Sequence, residues 1–263
     1  MTTNIAAAAL KLVEARQRHM TIESLAPDMP DDLDEAYAIQ NATHAGILAV
    51  AGGGEAVGYK IGCTNPQAQA EIGIDAPFHG RLLSPYFHDS PAEIPSERHF
   101  MVVLEPEIAF RMGRDLPADQ APFDRDLVNA SVAEVMAAIE VVDSRYQDWT
   151  TAGAAQAIAD NAFNGAWVRG ETRNEVNLLS LDEVPVEIAI DGETRETGVG
   201  GNALGHPLNA LSWLAHELAR KGEGLKAGDY VSTGTCTATV RIVKGQRAVA
   251  SFGPLGDVEL TVV

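Results

Sequence analysis

Hydrophobic positions follow two different periods along this chain, and the period changes at a glycine run. Before it, apolar residues are spaced as on helices. Residues 4–19 are rich in alanine and leucine and can be capped by Thr3 or Asn4. A second helix is expected over 33–51, with Asp31 and Asp32 at its start behind Pro30 and Gly52-Gly53-Gly54 at its end. After the glycines short apolar runs take over. Strands are expected over 56–61, 99–111, 137–142, 165–169, 185–191, 229–233, 239–243, 247–251 and 257–263. Asp191-Gly192 has the sequence of a hairpin turn. Two helices are expected to interrupt the strands. Ser131 with Glu134 reads as a capping box before Val135. Residues 207–221 open at Pro207, carry the stripe Leu208, Leu211, Leu214, Ala215 and Leu218, and stop at Gly222. The pattern predicts an α+β fold, a mixed β-roll or barrel core with helices packed outside. It divides into a helical N-terminal segment, 1–54, and a β domain, 55–263.

Three glutamates interrupt the apolar runs. Glu105-Pro106-Glu107 lies between Met101-Val102-Val103-Leu104 and Ile108-Ala109-Phe110, and Glu140 lies between Val135-Met136-Ala137-Ala138-Ile139 and Val141-Val142. A buried carboxylate is costly unless it is paired or bound to a metal. Residues i and i+2 of a strand share a face, so Glu105 and Glu107 can converge and Glu140 can join them from a neighbouring strand. Three carboxylates around one point suit a hard divalent cation, Mg²⁺ or Mn²⁺. The alternative is a solvated strand face with Glu140 in an internal salt bridge. Pro106 is compatible with an edge strand or a bulge.

The composition narrows the partners. The 263 residues fit one large domain or one domain with a small appendage, and 46% hydrophobic content is ordinary for a globular core. A formal net charge of −18 argues against nucleic acid and against anionic membranes. An anionic substrate would then need a local positive focus. The two cysteines, Cys63 and Cys236, have no zinc spacing and are expected to be reduced thiols. The first residues lack a basic region and a long apolar run, and no stretch has the length of a membrane span. A cytoplasmic protein is expected.

Other residues could carry chemistry. Lys60 sits in an apolar strand between Gly58 and Gly62. Solvent exposure is the ordinary use of such a lysine, but the glycines permit close approach of a ligand or backbone. Near a metal it could serve as acid or base. Pro77-Phe78-His79-Gly80-Arg81 reads as a compact loop. His79 titrates near neutrality, and Arg81 could meet a substrate carboxylate or form a surface ion pair. Asp143-Ser144-Arg145, with Asp148 and Trp149, could orient the metal ligands. Asp160-Asn161 either aims polar atoms at a site or makes an ordinary turn, and Ser232-Thr233-Gly234-Thr235 could hold a carboxylate. There is no P-loop, GxSxG or HExxH. Gly198-Val199-Gly200-Gly201-Asn202-Ala203 fits G-x-G-x-x-A only formally. The polar run Glu193-Thr194-Arg195-Glu196-Thr197 precedes it in place of a strand, and the helix opens only at Pro207.

Five motifs occur in a fixed order: Gly58-Tyr59-Lys60-Ile61-Gly62-Cys63-Thr64 with Gly73-Ile74-Asp75; Leu104-Glu105-Pro106-Glu107-Ile108-Ala109-Phe110; Ala138-Ile139-Glu140-Val141-Val142-Asp143-Ser144-Arg145 through Asp148-Trp149; Asp160-Asn161-Ala162; and Gly228-Asp229-Tyr230-Val231-Ser232-Thr233-Gly234. Together, over about 30–260, they resemble the 2-keto-4-pentenoate hydratase family. Its relatives are 2-oxohept-3-ene-1,7-dioate hydratase and 4-oxalocrotonate decarboxylase, within the fumarylacetoacetate hydrolase superfamily. The resemblance implies a β-roll behind a helical segment, and Mg²⁺ or Mn²⁺ on Glu105, Glu107 and Glu140, with Lys60 as the active-site lysine. It also implies a homo-oligomer, with or without an associated pathway enzyme, in bacterial degradation of aromatic compounds by meta-cleavage. One position departs: many family hydratases carry an aspartate just after the loop proline, where this chain reads Pro77-Phe78-His79-Gly80. The expected activity is hydration of a short unsaturated 2-keto acid. Lys60 and His79 are the expected catalytic residues, and Arg81, Asn161 and Thr233 the expected substrate contacts. The alternatives are a 2-oxo-enedioate decarboxylase, an acylpyruvate C–C hydrolase using His79 with Glu71 or Glu55, and a non-enzymatic partner subunit.

Overall fold

The computed structural model describes residues 3–263. Helix α1 (Ile5–Arg18) is capped by Asn4, whose side chain accepts the Ala7 N–H at 3.1 Å. Helix α2 (Leu33–Val50) is capped by Asp32, which accepts the Glu35 N–H at 2.8 Å, while the Glu35 carboxylate accepts the Asp31 N–H at 2.9 Å. The chain continues through β1 (Ala56–Gly62), α3 (Pro66–Ile72), β2 (Phe78–Leu83), β3 (Phe87–Asp89), β4 (Ala92–Ile94) and β5 (Val103–Met112). Next come α4 (Arg125–Ala130), β6 (Val132–Val142), α5 (Gly153–Ala159), β7 (Asn164–Arg173), β8 (Pro185–Ile190), β9 (Glu193–Val199) and α6 (Pro207–Arg220). The last strands are β10 (Tyr230–Thr235), β11 (Val240–Arg241), β12 (Arg247–Ser251) and β13 (Asp257–Val262).

The strands form two sheets. One has eight strands in the order β2-β1-β10-β5-β6-β7-β3, with β11 on β5, and the other has five in the order β4-β13-β12-β8-β9. Parallel pairs (β1 with β10, β3 with β7, β4 with β13) sit among antiparallel ones, so the sheets are mixed. The larger sheet curls into a half-barrel, bringing β2 at one edge against β7 near the other. This is the α+β roll behind a helical N-terminal segment.

The two faces of the curled sheet do different work. The outer face (Ile61, Leu104, Ile108, Phe110, Ile139 and others) packs on the five-stranded sheet and on the Leu208, Leu211, Leu214, Leu218 stripe of α6. A second cluster joins Leu12 of α1 and Ile39 of α2 to Ile158 of α5 and to Phe78, Val142 and Phe163. The helical segment thus shares a core with one end of the roll.

Three sequence expectations change. The capping box at Ser131 is absent: β6 starts at Val132, and the Ser131 hydroxyl instead donates to Leu127 O at 2.7 Å at the end of α4. Long antiparallel pairing with β5 outweighs the local helix signal. Residues 77–81 are not a loop, because β2 runs through them antiparallel to β1. The polar run 193–197 does form a strand, β9, at a sheet edge, where charge discourages further pairing. Asp191 and Gly192 make the turn before it, with φ of 53° and 84°. No described helix is long and apolar enough to cross a membrane.

Candidate metal and catalytic site

Strand register brings the three glutamates together. Glu105 pairs with Glu140 across β5 and β6, and Glu107 lies two residues on along the same face. One ligand oxygen from each lies within 4.8 Å of the others. Lys60 of β1 pairs with Ser232 of β10, which pairs with Ala109 of β5. By the same alternation Lys60, Ser232, Glu105, Glu107 and Glu140 all point inward, into the lumen of the roll. Leu82, Ala109, Met136, Ala138 and Trp167 pack together on that same face beside them.

Lys60 is buried, and its Nζ donates to Ala162 O at 2.9 Å and lies 3.1 Å from Glu140 Oε2. The carbonyl is aimed by an unusual turn: Asn161, Ala162 and Phe163 have φ of 54°, 52° and 60°, a left-handed run that costs roughly 1–2 kcal/mol per residue. Buried bonds from the Asn161 side chain hold it. The glycines beside Lys60 serve protein packing: a Cβ on Gly58 would lie 2.0 Å from Tyr230 O, and one on Gly62 would lie 2.8 Å from the Phe78 ring.

The carboxylates are fixed unequally. Glu107 Oε2 accepts from the Ser232 hydroxyl, which in turn accepts from Trp167 Nε1 at 2.8 Å. Glu140 Oε1 accepts from Asn164 Nδ2 at 2.9 Å. Glu107 Oε1 and Glu140 Oε2 have no directed hydrogen bond. Burial first, then Glu140, raises the Glu105 carboxyl to about 7 against the opposing pull of Lys60. Burial first, then Glu140 and Glu105, holds Glu107 well above the carboxylate range. Burial by itself would lower the Lys60 ammonium, but Glu140, Glu105 and Glu107 outweigh it and raise it. The cluster is therefore short of positive charge, with three carboxylates around one ammonium. An all-carboxylate donor set in that condition fits a hard divalent cation.

Two cavities meet at Glu105, sharing Glu105, Glu71, Ala68 and Thr239 in their walls. The inner one, about 350 Å³, is walled by Lys60, Phe78, Ile72, Val142, Trp149 and Phe163 among others. The outer one, about 790 Å³, is lined by polar uncharged side chains such as Asn65, Gln69, Asn202 and Thr237.

The other expected site residues lie elsewhere. His79 pairs with Ile61, so its side chain leaves β2 on the face opposite Lys60. It is buried, stacked on Tyr37 with centroids 4.5 Å apart, and both ring nitrogens lack partners. Burial, with help from Lys221, Arg81 and His44, holds it well below the usual histidine range. Arg81 also points outward, over the Tyr59 ring at 3.9 Å and bonded to Glu223 at 2.9 Å. Asn161 is committed to the backbone of β2. Its Oδ1 accepts from Arg81 N–H and pairs with His44 Nε2, both at 2.7 Å, and its Nδ2 donates to Arg81 O at 3.0 Å. The Thr233 hydroxyl donates to Ile108 O at 2.7 Å, away from the lumen.

Arg145, Asp143 and Asp160 do not touch the metal-ligand candidates. Arg145 Nε donates to Asp160 at 2.7 Å and its guanidinium reaches Asp143 at 3.2 Å, while Asp143 Oδ1 accepts the Phe100 and Met101 N–H groups at 2.9 and 3.0 Å. Ser232, read from sequence as able to hold a carboxylate, does bind Glu107, but Asn164, which binds Glu140, and Trp167, which backs Ser232, were not singled out. Strand parity relative to Lys60 identifies Ser232. Nothing local identifies Asn164.

Comparison with known proteins places this geometry. The fumarylacetoacetate (FAA) hydrolase C-terminal family matches residues 60–263. A 2-keto-4-pentenoate hydratase of Burkholderia vietnamiensis is 36% identical over 259 residues, 98% of this chain and 97% of that protein. A 2-oxo-hept-4-ene-1,7-dioate hydratase of Escherichia coli is 29% identical, covering 95% of this chain and 94% of that one. Among solved structures, 4-oxalocrotonate decarboxylase from Pseudomonas putida G7, complexed with magnesium and adipate, superposes with a TM-score of 0.91 at 27% identity, over 98% of this chain and 97% of that one.

Proposed function

This chain belongs to the fumarylacetoacetate hydrolase family, and from that premise we propose that it is a metal-dependent hydratase that converts a short unsaturated 2-keto acid of the 2-hydroxypenta-2,4-dienoate type into a 4-hydroxy-2-keto acid. The observation that carries this is the convergence of Glu105, Glu107 and Glu140 with buried Lys60, where Lys60 and Glu105 form part of the wall of one cavity. Glu105, Glu107 and Glu140 would hold Mg²⁺ or Mn²⁺, which supplies Lewis-acid polarisation to a bound 2-keto acid. Lys60 holds a proton at Nζ and moves it during tautomerisation, oriented by Ala162 O and Glu140. His79 faces away from the cavity, which leaves assistance to the attacking water with Lys60. The apolar wall of Phe78, Ile72, Val142, Trp149 and Phe163 excludes bulk water and receives the far end of the substrate.

The lining also favours an uncharged far end. Among the described residues lining either cavity, Lys60 is the one cation, and Glu71 and Glu105 are anionic. Arg81 and Arg145 are paired elsewhere. A second carboxylate would find no partner there. Decarboxylation of a 2-oxo-enedioate is the second reading, supported by the superposition on the decarboxylase. Acylpyruvate hydrolysis loses support, since Glu71 lines the cavity and His79 does not. A homo-oligomeric assembly, with or without a related pathway enzyme, follows from the family resemblance and is checked by light scattering.

The test is incubation with 2-hydroxypenta-2,4-dienoate and with 2-oxohex-3-enedioate, followed by NMR, with Mg²⁺ and then with EDTA. Metal-dependent formation of a 4-hydroxy-2-keto acid, faster from the monoacid, is the expected result. CO₂ release from the diacid without hydration would move the assignment to decarboxylase.

A further inference from the structure

We propose that Ser232 and Asn164 are positioning residues that set divalent-cation affinity and selectivity, each by occupying one oxygen of a buried glutamate so that only the other remains available. Glu107 and Glu140 are both fully buried, and on each one oxygen is taken by a neutral donor, while Glu107 Oε1 has no partner and Glu140 Oε2 faces only the Lys60 ammonium at 3.1 Å. The pattern is more than a salt bridge, because Lys60 pairs with Glu140 while Glu105 and Glu107, which offer ligand oxygens within 4.8 Å of one another and of Glu140, form no ion pair among the described residues.

The direction of each bond is determined by chemistry. An indole N–H can only donate. Trp167 donates to Ser232 Oγ, so the hydroxyl has its acceptor side engaged and turns its single hydrogen to Glu107. Trp167 stands directly opposite Glu140 in the β6–β7 register, so one strand backs both glutamates. Asn164 begins that strand beside a register irregularity, and its backbone carbonyl accepts from Arg16 of α1 at 2.9 Å. That anchor holds the amide that reaches Glu140. By contrast, no donor among the described residues holds the Glu105 carboxylate, which lines both cavities. The site therefore has two rigid members deep in the roll and one adjustable member on the substrate side.

Rigidity bears on ion choice. Mg²⁺ demands near-ideal geometry at short distances, whereas Ca²⁺ tolerates a flexible one. Releasing Glu107 or Glu140 should then cost Mg²⁺ more than Ca²⁺. A substitution that only loosened the fold would weaken both ions alike.

The inference rests on the metal-site reading above, and the experiment separates the two. Isothermal titration of the full chain with Mg²⁺ and with Ca²⁺ is made on wild type, Ser232→Ala, Asn164→Ala, Ser232→Thr and Glu107→Gln. Ser232→Ala and Asn164→Ala should each weaken Mg²⁺ binding by about 10–100-fold, the usual loss for an outer partner of a ligand, with a smaller loss for Ca²⁺. Ser232→Thr, which keeps the hydroxyl, should restore affinity. The Trp167 indole N–H resonance, assigned by its disappearance in Trp167→Phe, should shift on adding Mg²⁺ to wild type and stay in place in Ser232→Ala. Asn164→Ala carries the test if Ser232→Ala does not fold. Unchanged affinities in the alanine variants, or equal losses for the two ions, overturn the positioning role alone. Absence of Mg²⁺ binding by wild type, or its full retention in Glu107→Gln, overturns the metal site and this role with it.

Discussion

Two buried clusters of charge lie three residues apart on the chain, at Glu140 and at Asp143, and they have opposite character. Around Arg145 every acidic oxygen meets a donor. Asp160 takes the guanidinium and the Arg145 N–H, and Asp143 takes the guanidinium and two backbone N–H groups. Around Lys60 three carboxylates face one ammonium, which reaches Glu140 Oε2 and leaves Glu107 Oε1 with no partner. Burial is nearly the same in both, so burial does not mark the site. Unmet hydrogen-bonding capacity and excess like charge do. The first cluster is a staple between the start of the Asp143–Tyr146 segment and the Asp160 turn. The second keeps like charges together with hydrogen-bonding capacity left unfilled.

The contrast can be broken from either side. Glu107→Gln removes one member of the unsatisfied cluster. Metal-dependent turnover should fall by roughly 10²–10⁴-fold, the several kcal/mol a Lewis acid contributes. The same variant without metal should melt at a higher temperature than wild type, because one of three repelling carboxyls is gone. Wild-type turnover in that variant would exclude the site. Arg145→Met attacks the satisfied cluster instead. It strands two buried carboxylates and should cost about 3–5 kcal/mol in urea unfolding, with Mg²⁺ affinity of the folded protein unchanged. A stable Arg145→Met protein would show that the staple is dispensable.

Adding the missing charge sharpens the comparison. At a hundredfold excess over its Kd, Mg²⁺ should raise the unfolding free energy by about 2.7 kcal/mol. EDTA should reverse the gain, and Glu140→Gln should show none of it. The smallest effect concerns pH. Burial first lowers the His44 imidazole to about 4, and Asn161 opposes it with a hydrogen bond. Its folded pKa lies below the unfolded value near 6.5, so the unfolded chain binds more protons between them. Stability from neutral His44 is then complete above about pH 6.5 and lost as pH falls toward 4, about 2 kcal/mol by pH 5. Burial lowers His79 as well, with the same sign. Denaturation midpoints from pH 7 to 5 measure the slope, which His44→Gln should flatten. An unchanged slope would mean that His44 does not titrate differently on folding.

Much of this was legible in the chain because it depends on local spacing. The period change at Gly52-Gly53-Gly54 separates helical from strand sequence, and Asn4, Asp32 and Asp191-Gly192 take the cap and turn positions their chemistry suggests. Glu105 and Glu107 share a face because they are two apart in a strand, and apolar neighbours put them inside. Lys60, alone among glycines and apolar residues, is drawn to the same place. Local signals failed where long-range pairing competed: at Ser131–Glu134, at the 77–81 segment, and at the polar β9 edge.

The sequence by itself therefore determined the ingredients: an acidic trio, one lysine in an apolar strand, a strand-rich roll and a helical segment beside it. Tertiary structure alone decided which neighbours serve them. Ser232 faces the lumen and Thr233 does not, His79 turns outward while Phe78 lines the cavity, and Asn164 rather than Arg145 reaches Glu140. The first two choices are matters of parity, and parity is set by register across strands distant in sequence. One residue of slip would send every side chain to the other face.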